Sequence, residues 1–68
     1  MFEESEYMNK LQTAIESLSE PQRVAFLLNR IEGKKHEEIA EMLGISRKAV
    51  EKRIYAALAT LREKIGEI

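Results

Sequence analysis

Ile39–Arg53 reads IAEMLGISRKAVEKR, and the fold turns on how this stretch is parsed. Ile39, Ala40 and Leu43 recur at helical steps, which predicts a short amphipathic helix. Gly44 follows, a residue that takes positive φ without steric cost and so can turn the chain. Ile45 is apolar and plugs the turn into the core. Ser46 is a favoured N-cap residue, and Val50 and Ile54 define the buried side of a further helix. A helix, a tight turn and a capped helix, in that order, make a helix-turn-helix. The second helix of that motif can lie in the major groove of DNA.

Working outward, the chain reads as four helices and no strand, an all-α fold: a small four-helix domain with a C-terminal helix-turn-helix. Residues 1–68 are expected to form one domain, with helices over about 3–17, 20–31, 36–43 and 46–66. In the first helix, Met8, Leu11, Ile15 and Leu18 make an apolar stripe opposite Glu6, Lys10 and Glu16. Ser19 offers an N-cap to the second, with Gln22 at the capping-box position and Pro21 in the first turn. Val24, Leu27, Leu28 and Ile31 are expected to face the core with Phe26 beside them. That broad arc makes the second helix the expected centre of the fold. Gly33 stops it. Along the last helix the stripe is Val50, Ile54, Ala57/Leu58, Leu61 and Ile65. Residues 1–5 and 66–68 are expected to fray.

Sixty-eight residues allow a net stability of only about 3–5 kcal/mol, so each buried aliphatic matters. There is no cysteine, which excludes disulfides and thiolate metal sites and fits a reducing compartment. The apolar run Val24–Leu28 is far too short to span a bilayer. No basic segment followed by an apolar one opens the chain, so no signal peptide is visible.

The net charge of −1 conceals a division. Residues 1–20 hold five Glu and one Lys, a net of −4, whereas residues 21–68 hold ten Lys/Arg and seven Glu, a net of +3. Arg47, Lys48, Lys52 and Arg53 crowd one octet against Glu51 alone. Local field rather than total charge steers a phosphate backbone.

The buried positions of the last helix leave Arg47, Lys48, Glu51 and Lys52 projecting from its other side, with Tyr55 one turn on. Arginine and lysine can pair with guanine O6 and N7, and a carboxylate can accept from cytosine N4. These four are the candidate base readers. Ser46, through its hydroxyl and the amides at the helix start, is a candidate phosphate contact, as are Lys34, Lys35 and Arg53. A solvated charged face, with Arg47–Glu51 merely an i,i+4 pair, is the bland alternative. His36 stands without a cysteine or second histidine, so no metal is expected; it reads as a surface residue near the DNA backbone. Glu37, Glu38 and Glu41 read as a solvated acidic face near a helix start. No nucleophile motif or glycine-rich phosphate loop is present, so neither catalysis nor a cofactor is expected.

The run from Leu18 to Arg62 resembles region 4 of sigma-70-type RNA polymerase sigma factors, most nearly the extracytoplasmic-function group. The resemblance is carried by Leu18-Ser19-Glu20-Pro21-Gln22-Arg23, Glu32-Gly33, Glu38-Ile39-Ala40, Leu43-Gly44-Ile45-Ser46, Val50-Glu51-Lys52-Arg53-Ile54, and Ala57-Leu58 through Leu61-Arg62. It implies a cytoplasmic protein that binds the promoter −35 element and docks on the flap of the polymerase β subunit. By position it implies that Arg47, Lys48, Glu51 and Lys52 read bases while Lys35, Ser46 and Arg53 hold the backbone. It further implies an anti-sigma factor as a possible partner, meeting exposed apolar residues of the first and last helices. Ala49 stands where the family often has a threonine. Lys35 stands where a capping Ser or Thr is common, so the third helix is expected to start less firmly. The family's region 2 has no counterpart here, and the chain is expected to be an excised domain.

Two other readings share these residues. A LuxR-type response-regulator domain has the same turn, although the Ala57-Leu58…Leu61-Arg62 ending argues against it. A protein-interaction module with a vestigial DNA face is the other.

Overall fold

The structure, a computed structural model, describes residues 2–66 and the side chains from residue 6 onward. Among these residues there are four helices and no strand: α1 Phe2–Glu16, α2 Glu20–Arg30, α3 His36–Leu43 and α4 Arg47–Ile65. Apart from the helical backbone of 2–5 and Gly66, the ends expected to fray lie outside the described residues.

α4 is the axis of the fold, and each of the other three helices packs chiefly against it. The second helix was expected to hold that place. Length explains the difference. The 19 residues of α4 span about 28 Å at 1.5 Å per residue, enough to serve two successive hydrophobic clusters, whereas α2 has 11 residues. Toward the C-terminal end of α4, Ala57 and Leu61 join Ala14, Leu18 and Phe26. Toward its start, Val50 and Ile54 join Ala25 and Ile39, with Leu28, Ala40, Leu43 and Ile45 packed around them. Leu58 touches both clusters. The result is an elongated body of 40 × 20 × 17 Å.

The faces of α1 and α2 differ from the aliphatic stripes expected of them. Ala14 is buried on α1 while Met8 is 57% exposed. On α2, Ala25 and Phe26 are buried, Val24, Leu27 and Leu28 are half-buried, and Ile31 is 70% exposed. In both cases an alanine is among the buried residues of the inner face, where a small side chain lets neighbouring helices draw together. Leu27 and Leu28 then divide between the two clusters. Ile31 falls at the C-cap, where the chain is already leaving the helix.

Helix starts show the same interplay. Ser19 has the extended backbone of an N-cap, but its hydroxyl makes no cap hydrogen bond, so the expected box with Gln22 is not formed. Pro21 removes one of the amides that a cap would satisfy. The Arg23 guanidinium donates to the Leu18 carbonyl at 3.1 Å and ties the junction instead. At α3 Lys35 supplies no side-chain cap hydrogen bond, in line with its departure from Ser or Thr, but the Glu38 carboxylate accepts from the Lys35 backbone N–H at 2.7 Å. The lysine ammonium has no lone pair to return a bond, so this start is fixed from inside the helix.

Candidate nucleic-acid interface

The turn that aims α4 is built from three residues. Gly44 sits at φ 68°, ψ 35°, in the left-handed region. The Ile45 N–H then reaches back to the Ala40 carbonyl at 3.0 Å, the six-to-one bond of a Schellman close. Ile45 and Ala40 both pack on the cluster around Ile39. Ser46 has extended φ and ψ, and its Oγ accepts from the Ala49 N–H at 3.1 Å. That cap uses the serine oxygen as an acceptor and leaves its O–H free to donate. The Arg47 and Lys48 amides, in the first helical turn, have no intrahelical acceptor and sit at the positive end of the dipole.

Val50 and Ile54 are 0% and 2% exposed, which fixes the rotation of α4. Lys48 and Lys52 are exposed and make no salt bridge among the described residues. Tyr55 stands beside them, 67% exposed, lining a shallow depression with Lys48, Glu51 and Lys52. The four candidate base readers are therefore not equivalent. Arg47 and Glu51 lie on the flank of α4 that faces α3 and are engaged there. The Arg47 Nη1 donates to Glu37 Oε2 at 3.3 Å, and its Nε lies 3.3 Å from Glu51 Oε2. His36 Nδ1 approaches the same Glu51 oxygen at 3.8 Å. His36 thus faces the helix neighbour rather than open solvent.

Of the candidate backbone contacts, Lys35 is exposed at the N-cap of α3, next to His36 in sequence. Lys34 is half-buried; its N–H bonds to the Leu28 carbonyl, and its own carbonyl accepts from the Asn29 amide at 2.9 Å. Arg53 lies about 200° around the helix from Glu51. It lines a groove with Ser19, Pro21, Gln22, Ala49 and Lys52 at the start of α2. Lysines flanked by a capped helix start can serve a phosphate backbone and base edges at once. Glu37 is the residue that sequence reasoning did not assign to this surface. Its contact with Arg47 spans ten positions across two helices, and no local spacing signals such a pair.

Comparison with known proteins bears on this surface. The family model for sigma-70, region 4 matches residues 8–61, from within α1 through the turn to Leu61 of α4. No curated protein and no solved structure matches the chain. The matched span takes in both hydrophobic clusters, the Gly44 turn and the whole exposed start of α4. The chain belongs to the sigma-70 region 4 family, a DNA-binding rather than enzymatic family whose task is promoter −35 binding in transcription initiation.

Proposed function

We propose that α4 enters the major groove of the −35 element with Arg47, Lys48, Glu51 and Lys52 toward the bases, while Lys34, Lys35, Ser46 and Arg53 meet the phosphates. One observation carries this reading: Val50 and Ile54 are buried, so the opposite side of the same helix start presents Lys48 and Lys52 to solvent. The domain works as one part of a cytoplasmic initiation factor and docks on the flap of the polymerase β subunit. Exposed Tyr7 and Met8 on α1 supply apolar area for such a protein contact, and for an anti-sigma factor competing for it.

Three phosphate cations, Lys34, Lys35 and Arg53, give log K a slope of about −2.7 against log salt. Raising salt from about 50 to about 200 mM then weakens binding about 40-fold. The test is a titration of −35-like duplexes at those two salt concentrations, with and without the β flap. The proposal expects weak, salt-sensitive binding by the chain alone and sequence preference that sharpens when the flap is present. Salt-independent binding, or none at the lower salt, overturns it.

A further inference from the structure

The guanidinium of Arg47 can present two nitrogens to a guanine by either of two edges, Nη1/Nη2 or Nε/Nη2. In this structure each edge has one nitrogen beside a carboxylate. Glu37 Oε2 takes Nη1 at 3.3 Å, and Glu51 Oε2 lies 3.3 Å from Nε. Only Nη2 has no partner among the described residues. That nitrogen alone suffices for a single contact to a phosphate oxygen, whereas a two-nitrogen contact brings the guanine acceptors O6 and N7 against one of the two carboxylates, whose negative charge repels them.

The two carboxylates differ in how readily they leave. Glu51 is on the same helix, four residues along, half-buried at 34% side-chain exposure and close to His36. Glu37 is on α3, and its side chain is 70% exposed, so it can swing into water. Loss of Glu37 opens the Nη1/Nη2 edge, with Glu51 still holding Nε and aiming the fork.

Building on the DNA reading above, we propose that Glu37 is an intramolecular competitor of DNA for Arg47. It keeps the guanine-reading edge closed until a matching base displaces it. Non-matching DNA leaves the contact in place, because Nη2 can meet a phosphate without breaking it. An exposed ion pair of this kind alters an equilibrium by about two- to five-fold. Glu41 is the internal control. It is exposed and lines the same shallow depression as Glu37 and Arg47, yet makes no ion pair among the described residues.

The experiment takes a duplex enriched from a random library by the wild-type chain, and a scrambled version of it. Affinities are measured for Glu37→Gln and Glu41→Gln, each with Arg47 present and in an Arg47→Ala background, with far-UV circular dichroism to confirm folding. Both glutamine variants remove one negative charge. Glu37→Gln is expected to tighten the selected duplex about two- to five-fold beyond Glu41→Gln, while the two act alike on the scrambled duplex. With Arg47→Ala the two become equivalent on both duplexes, and in high salt the difference shrinks. Equal effects of the two variants while Arg47 is present overturn the inference and leave the DNA reading intact. So does weaker binding of the selected duplex by Glu37→Gln. If Arg47→Ala leaves the selected duplex unaffected, or no duplex is enriched, the DNA role of Arg47 fails and the competitor role fails with it.

Discussion

Replacing Gly44 with alanine isolates the cost of one backbone conformation. The residue holds φ at 68°, and a Cβ added there meets no atom within 4 Å. Crowding therefore contributes nothing, and the penalty is that of forcing an L-residue into the left-handed region, about 1–2 kcal/mol. The unfolded chain loses freedom when glycine becomes alanine, which offsets about 0.4–1 kcal/mol. A net loss of up to about 1.6 kcal/mol, centred near about 0.8 kcal/mol, follows, large against the about 3–5 kcal/mol available to a domain of this size. Urea denaturation followed by far-UV circular dichroism measures it as a lower midpoint with an unchanged slope. In a thermal melt it corresponds to a drop of about 4–8 °C. Gly44→Asn, which tolerates this region better, is expected to lose less. A gain of about 0.4–1 kcal/mol, the unfolded-chain effect with no native penalty, would refute the left-handed turn. A loss above about 3 kcal/mol would mean that the added carbon meets something after all.

Three further outcomes are expected. Ser46→Ala removes the cap on Ala49 N–H and should lower stability by about 0.5–2 kcal/mol, while also weakening duplex binding, as read by denaturation and by titration of the same sample. Ile39, fully buried between α3 and α4, should cost about 0.5–1.5 kcal/mol as Ile39→Val and about 2–5 kcal/mol as Ile39→Ala; a melt of the alanine variant should show little folded protein. Met8→Lys, at a position 57% exposed, should alter the melt by no more than about 0.5 kcal/mol. A clear loss there would restore Met8 to the core.

The parts of this fold that sequence expresses locally were legible in it. Gly44 and Ser46 specify a turn and a cap within a few residues of themselves, and both do in the structure what their chemistry allows. The Val50, Ile54 and Leu61 stripe was legible because α4 is long and one-sided. The inner faces of α1 and α2 were less so. Reading apolar periodicity gives weight to large side chains, whereas Ala14, Ala25 and Ala57 are among the most deeply buried positions here. Alanine is small enough to pack anywhere, so its spacing carries little signal. Ser19 misled for a different reason: a good capping residue stands there, but the neighbouring proline leaves one fewer amide to cap. On the candidate interface, the i,i+4 pairing of Arg47 and Glu51 was open to inspection and is present at 3.3 Å. The contact with Glu37 depends on how α3 crosses α4, which no short-range pattern encodes.

The central claim is that the outward start of α4 meets double-stranded DNA. Backbone amide shifts in a two-dimensional ¹⁵N NMR titration with a −35-like duplex at low salt test it residue by residue. The account predicts the largest changes from Ser46 through Tyr55, with smaller ones at Lys34 and Lys35, all receding as salt is raised. Changes confined to α1 and the C-terminal half of α4, with Arg47–Lys52 unmoved, would contradict it.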